Sequence, residues 1–243
     1  MDNLSVTRYA LTDSTNTRAK EYIANGGSEL PRLFIAREQS AGRGRMGRSF
    51  YSPASTGLYA TLLFCAPQEQ ERLLSLTALA AVALSEAIED TLGISVEIKW
   101  VNDLYKDGKK VAGILAESFN DGARRYIALG FGVNLYTSSF PDDIKDKAGS
   151  LCNTAISEES ADSIALLCAK KLLSFVALEN TESIMNTYRD KSLVLEKKII
   201  FSRDGVICTG VAKEITALGA LKVALDGGGE ALLSTGEISI FLQ

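Results

Sequence analysis

The chain has 243 residues, 46% hydrophobic and 23% charged, with 26 basic and 30 acidic side chains and a formal net charge of -4. This is the balance of a folded globular protein, with length for one large domain or a main domain and a small appendage. It excludes fibrous and disordered classes and argues against a general nucleic-acid coat, which is usually basic.

Histidine is absent. That removes Ser-His-Asp and Cys-His nucleophiles, His metal sites and His acid–base work. Any chemistry runs on Lys, Arg, Asp, Glu, Ser, Thr, Tyr or Cys, or on electrostatics alone. Cys65, Cys152, Cys168 and Cys208 lie far apart and form no C-x-x-C pair, so zinc ribbons and thioredoxin-like motifs are excluded and no metal site is expected. The opening MDNLSVTRYA lacks the basic and apolar regions of a secretory signal. No apolar run reaches the roughly 18 residues of a membrane span. The expectation is a soluble cytoplasmic protein with reduced thiols.

Along the chain, Asp13 or Ser14 starts a helix that Asn25-Gly26-Gly27 stops. Arg32 to Arg37 (RLFIAR) predicts a short buried strand, and residues 39–50 a loop. Leu58 to Cys65 (LYATLLFC) predicts another strand. Residues 73–92 predict a helix, with Leu73, Leu76, Ala80, Ala83, Ala87 and Ile88 at helical spacing and Gly93 as the stop. Val96, Ile98 and Trp100 alternate with Glu97 and Lys99, the pattern of a half-buried strand. Val111 to Glu117 and Arg125 to Leu135 are its predicted neighbours, with tight hairpins at Asp107-Gly108 and Asp121-Gly122. That meander predicts an α+β protein with a mixed, largely antiparallel central sheet flanked by helices. Helices follow at about 160–179 and 181–190. From Ser192 short β-type runs split by glycines predict a small all-β barrel of about fifty residues, giving domains 1–191 and 192–243.

The sharpest local anomaly is Gly42-Arg43-Gly44-Arg45-Met46-Gly47-Arg48. No acidic residue lies between Glu38 and Glu69, yet three arginines do, leaving 23 basic against 30 acidic residues elsewhere. A cationic loop on an anionic body suggests a focused anion site. Glycines let backbone N–H groups approach phosphate, and arginine adds forked donors. The spacing also fits a dinucleotide fingerprint and nearly fits a P-loop. Both need a helix directly afterwards, and Phe50-Tyr51-Ser52-Pro53 is a poor helix start. A solvated, mobile loop is the plain alternative. A second constellation joins Lys99-Trp100-Val101-Asn102-Asp103-Leu104-Tyr105 to Lys109-Lys110. A tight turn at Asp107-Gly108 brings Asp103 near Lys110. Lys110 can then meet a carboxylate or phosphate, while Asp103 holds a cation or orients an amine. Read singly, the lysines are a charged hairpin tip and Asn102-Asp103 a turn.

At these residues the sequence resembles the biotin protein ligases. Four blocks coincide in order: Asp13-Ser14-Thr15-Asn16; Gln39-Ser40-Ala41-Gly42 through Arg48; Lys99 to Tyr105 with Lys110-Val111-Ala112-Gly113-Ile114-Leu115-Ala116-Glu117; and Gly130-Phe131-Gly132-Val133-Asn134. Gly236-Glu237-Ile238-Ser239 fits the family's C-terminal part. The resemblance implies the biotin–lipoate ligase fold, related to class II synthetases, with an SH3-like C-terminal barrel. It implies that biotin and ATP, the latter with Mg²⁺, give biotinyl-5′-adenylate and pyrophosphate. A lysine of a biotin carboxyl carrier domain then takes the biotinyl group. By resemblance, Ser14, Thr15 and Gln39 bond the ureido head, and Asn16, Gly42 and Gly44 complete the binding set. Arg43 to Arg45 wrap the adenylate, with Arg45 at the new anhydride, and Arg48 steers ATP phosphates. Lys110 binds the biotin carboxylate, and Gly113 lets a strand lie close. Gly130, Gly132 and Asn134 line the pocket, Asn134 towards adenine or metal, and Asp103 orients the acceptor amine. An ordering of the loop on the intermediate and a homodimer are further expectations. The short segment before Ser14 implies no DNA-binding domain. Val101 stands where the family usually has proline, and Phe50 where it has tryptophan. Lipoate or octanoyl transfer is the rival within the superfamily. A non-catalytic module gripping RNA or an acidic partner is the rival outside it.

Overall fold

The computed structural model describes residues 4–66, 72–203, 205–234, 236 and 238–240. Strands β1 (Ser5–Tyr9), β2 (Arg32–Ala36), β3 (Gly57–Cys65), β4 (Glu97–Lys99), β5 (Asp103–Lys106), β6 (Lys109–Asp121) and β7 (Arg124–Asn134) build the first sheet. Among the described residues its order is β1-β2-β3-β7-β6-β5-β4. Only β1 and β2 pair in parallel, across helix α1 (Thr15–Ala24), the crossover that parallel pairing demands. Every other pair is antiparallel, as the predicted meander required. Asp107 and Gly108 both take positive φ (51° and 74°), the geometry of the tightest hairpins.

The sheet is buried on both faces, which explains why β2 and β3 read as continuous apolar runs rather than alternating ones. Leu33, Ile35 and Leu62 pack with helices α2 (Arg72–Leu92) and α3 (Glu158–Val176). Phe34 and Leu63 point the other way, against Ala19 and Ile23 of α1. Of the helical face read in the sequence, Leu76, Ala80, Ala83, Ala87 and Ile88 are buried; the Leu73 side chain lies outside the described residues. The chain does not run as one strand from Val96 to Tyr105. It breaks after Lys99, with a cis Trp100–Val101 peptide, and returns as β5, so Asp103 opens a new strand.

After α4 (Glu182–Asp190), strands β8 (Lys198–Arg203), β9 (Val206–Ile215), β10 (Leu221–Leu225), β11 (Glu230–Leu233) and β12 (Ile238–Ile240) form an all-antiparallel sheet. Its order is β11-β10-β9-β8-β12. Asp204, Glu237 and Phe241 of the predicted β-run lie outside the described residues. Ser192 still bridges to Ile98 of β4 before this sheet begins. Side-chain bonds join the second sheet to the rest: Arg189 Nε, on α4, donates to Ile215 O at 2.7 Å, and Trp100 Nε1, after β4, to Gly219 O at 2.9 Å. Trp100 is 4% exposed, so Trp100→Phe keeps an aromatic ring but removes part of the buried volume and strips one buried carbonyl of its donor. A loss of about 1–2 kcal/mol in urea unfolding is expected. No loss would mean that water replaces the indole.

Candidate functional site

Loop 39–56, between β2 and β3, is folded as a narrow hairpin. Gly44 N donates to Arg48 O at 2.7 Å and Phe50 N to Gly42 O at 2.9 Å. A single 3-10 turn, Arg45–Gly47, forms the tip, with Met46 at φ 55°. Extended backbone follows, so neither nucleotide-binding motif with its obligatory helix is present. Arg45 Nη1 donates to Asn102 Oδ1 at 2.9 Å, and Asn102 Nδ2 donates to Ile114 O at 2.8 Å. The loop therefore docks on the β4–β5 turn, and that turn docks on β6.

The hairpin covers a cleft of about 460 Å³ lined by Ser14, Thr15, Asn16, Gln39, Arg43, Gly44, Arg45, Arg48, Asp103, Lys110, Gly113, Gly130, Gly132 and Asn134. These fourteen positions are spread along the chain from residue 14 to residue 134, and the fold brings them to one cavity of ordinary ligand size. Gly42 is buried in the loop beneath it. A Cβ there would lie 2.4 Å from Phe50 O and from Ser52 Oγ.

Three glycines make the floor. Gly113 and Gly132 are cross-strand partners, and the Phe50 ring lies over both, 3.3 Å and 2.5 Å from where a Cβ would stand. Gly130 is occupied from α1: its Cβ position is 2.2 Å from Asn16 Oδ1. Beneath this floor runs a buried polar network. Thr15 N donates to Gln39 Oε1 at 2.8 Å, and Gln39 Nε2 donates to Ser52 Oγ at 3.1 Å. Thr61 Oγ1 lies 2.8 Å from Thr15 Oγ1 and 2.5 Å from Asn16 Oδ1. Asn16 Nδ2 donates to Glu117 Oε2 at 2.8 Å, and Lys20 Nζ to Glu117 Oε1 at 2.8 Å. Burial alone would raise the Glu117 pKa. Bonds from Lys20 and Asn16, with the charges of Lys20 and Arg43, outweigh it and hold the carboxyl below its ordinary 4.5. Glu117 therefore adds stability above that ordinary value and loses it as pH falls through the lowered one. The Tm advantage of wild type over Glu117→Gln is expected to shrink as pH is taken below about 4.5. A constant gap would show that the charge does not matter.

The rim is cationic. Lys110 Nζ lies 2.7 Å from Asp103 Oδ1, off the hydrogen-bond direction, so that buried oxygen has no donor. The predicted Asp103–Lys110 approach across the hairpin is present. Arg43 stands 3.7 Å from Glu117. Asn134 lines the cleft, and its Nδ2 donates to Gly149 O at 3.0 Å, which ties it to the loop after β7. Residues to which the sequence reading gave no site role also line the cleft: Lys99, Tyr105, Lys147, Gly236, Ile238 and Ser239. Lys99 Nζ sits 5.4 Å above the Tyr105 ring. Burial, with the charge of Asp103, pushes the Tyr105 hydroxyl up to about 12, so it stays a neutral donor.

No group of three or more His, Cys, Asp or Glu side chains among the described residues could cage a metal. All four cysteines are free. No helix among the described residues is long and apolar enough to cross a membrane.

Comparison with known proteins agrees with this geometry. The chain is 37% identical over 164 residues to the bifunctional ligase/repressor BirA of Bacillus subtilis, covering 65% of this chain and 50% of that protein. It thus spans about half the length of the BirA proteins it matches at that identity. It is 27% identical over 239 residues to the biotin--[acetyl-CoA-carboxylase] ligase of Mycobacterium tuberculosis, covering 94% of this chain and 86% of that one. The biotin protein ligase from Aquifex aeolicus in complex with biotin and ATP superposes with a TM-score of 0.81 at 26% identity, over 98% of this chain and 99% of that one. Residues 9–134, more than half the chain, match the family's own pattern, and the chain belongs to the biotin/lipoate A/B protein ligase family.

Proposed function

We propose that this chain activates biotin with ATP as biotinyl-5′-adenylate and transfers the biotinyl group to a lysine of a biotin carboxyl carrier domain. The observation that carries the reading is the meeting, in one cleft, of Arg43, Arg45, Arg48 and Lys110 with Ser14, Thr15 and Gln39 over a glycine floor.

In the first step a carboxylate oxygen bonds to the α-phosphorus and the bond to the β-phosphate bridge breaks, releasing pyrophosphate. Both partners are anions, so the obstacle is electrostatic, and fixed cations are the means of lowering it. Lys110 holds the carboxylate, Arg45 the phosphate where the anhydride forms, and Arg48 the departing phosphates. Arg43 and Gly44 complete the wrap around the adenylate. Mg²⁺ enters as the counter-ion of ATP rather than as a resident metal. Among the described lining residues Asp103 is the acidic one, fitted to orient the acceptor amine in the second step. There the amine nitrogen attacks the carbonyl carbon, the bond to phosphate oxygen breaks, and AMP leaves. Closing the loop over the anhydride shields it from water. Residues 192–243 form the smaller domain, whose β12 reaches the rim. The carrier domain of acetyl-CoA carboxylase is the acceptor class that the relatives' names support.

ATP–pyrophosphate exchange measured with biotin, with lipoate and with neither tests this. Exchange that requires biotin supports the reading; exchange with lipoate alone moves the chain to the rival branch, and none with either overturns it.

A further inference from the structure

Lys110 has its backbone held from outside its own hairpin. The two-residue turn at Asp107-Gly108 pairs Lys106 with Lys109 and Tyr105 with Lys110. The alternation of an antiparallel ladder then turns the N–H and C=O of Lys110 away from β5. On that far side β7 does not reach, since its pairing with β6 starts at Ala112 and Val133. The segment 147–149 takes its place. Lys110 N donates to Lys147 O at 2.8 Å and Gly149 N to Lys110 O at 2.9 Å, a short parallel bridge between Lys110 and Ala148. The β5–β6 register also shifts here, between Leu104 and Tyr105, an irregularity of the kind that re-aims a side chain.

Gly149 lets the segment come this close. A Cβ there would stand 2.7 Å from Lys109 Cβ, an atom fixed to the backbone and unable to swing aside. The φ of Gly149 is not positive, so alanine fits the backbone and only the contact counts. Behind the segment, Asn134 Nδ2 donates to Gly149 O and Leu151 N to Asn134 O, both at 3.0 Å. With the segment tied to β7, the exposed hairpin tip at Lys109 is the part that yields, and Lys110 moves with it. The Lys110 side chain lies back along β6, with Cε and Nζ each 3.2 Å from the Cβ position of Gly113. A shift at its root therefore changes the angle at which Nζ is presented. Lys110 and Ala148 line the cleft, whereas Lys109 and Gly149 do not.

We propose that Gly149 is a positioning residue: it lets segment 147–149 clamp the Lys110 backbone, so that Nζ meets the biotin carboxylate from a fixed direction. The inference rests on the biotin reading and adds to it how the site holds its lysine in place.

Gly149→Ala tests it. The added methyl must push the hairpin back by roughly 1 Å to reach an ordinary carbon–carbon contact. Biotin-dependent pyrophosphate release is expected to fall roughly 10- to 100-fold. Lys109→Gly removes the atom that is struck, so adding it to Gly149→Ala should restore the rate to within about threefold of Lys109→Gly alone. Lys109→Ala keeps that atom and should not rescue. In a Lys110→Ala background Gly149→Ala should cost less than about threefold, because the group it places is gone. Amide hydrogen exchange reads the clamp without any ligand: the Lys110 N–H should be protected in wild type, fast in Gly149→Ala, and slow again once Lys109→Gly is added. A wild-type rate in Gly149→Ala, no rescue by Lys109→Gly, or the full loss repeated without Lys110 would overturn the proposal while leaving the biotin reading intact. Absence of biotin-dependent pyrophosphate release in wild type would overturn both.

Discussion

Arg45→Ala and Lys110→Ala are each expected to slow biotin-dependent pyrophosphate release roughly 10²- to 10³-fold. In the proposed reaction the effect is large because both cations face charge that two anions bring together in a cleft partly closed from water, where a fixed donor is worth more than in bulk solvent. The two should differ in binding. If Lys110 meets the carboxylate itself, as proposed, its loss should weaken biotin binding in calorimetry. With Arg45 assigned to the phosphate, biotin alone should bind Arg45→Ala nearly as wild type. Arg45→Lys keeps the charge but not the forked donors and should recover only part of the rate. Folding should be much less affected. The Lys110 side chain is 33% exposed and paired with an Asp103 that is 22% exposed, a pair that solvent screens. A Tm change of about 2–4 °C would correspond to about 1 kcal/mol in a chain of this size. A loss of Tm matching the loss of rate would assign both residues to the fold instead.

Much of the frame was readable along the chain, and the reason is local. β2 and β3 are apolar on both faces, so their burial shows as uninterrupted runs; α2 carries its packing stripe at helical spacing. The hairpins at Asp107-Gly108 and Asp121-Gly122 announce themselves through residues suited to positive φ. β1 escaped because SVTRY is only partly buried at the sheet edge, without a strong alternation. β5 escaped because the reversal at Trp100-Val101-Asn102 has no glycine or proline to mark it. The cationic loop was legible because its composition is odd by itself. The network of Thr61 and Glu117 was not. Thr61 is a lone hydroxyl in an apolar run, and its partners Thr15 and Asn16 lie 46 and 45 residues away, while Glu117 lies 101 residues from Asn16. Asn134 lines the cleft as the resemblance implied. Its Nδ2 is held by Gly149 O, a partner whose position only the fold supplies.

Gly130→Ala should be far more damaging than the same change at Gly113 or Gly44, although Gly130 carries no charge and donates nothing from a side chain. Its β-carbon would stand 2.2 Å from Asn16 Oδ1, well inside contact distance, and Asn16 cannot retreat. Its nitrogen is held by Glu117 and its oxygen by Thr61. Overpacking of this kind costs about 1–3 kcal/mol, and relief by turning Asn16 disorders the wall that holds the head group. Biotin activation should therefore fall at least as far as in the arginine variant, with biotin affinity lost as well. The neighbouring glycines calibrate the argument. At Gly113 the nearest atoms are the mobile end of Lys110 and the Phe50 ring, at 3.2 and 3.3 Å, so alanine should cost activity moderately and stability little. At Gly44 nothing lies closer than 3.4 Å, and the backbone φ of -116° suits any residue, so alanine should leave Tm essentially unchanged. The expected order of damage follows the distances, and a Gly130→Ala protein that melts and binds biotin like wild type would show that the α1–β7 contact is slack and that the glycine serves some other purpose.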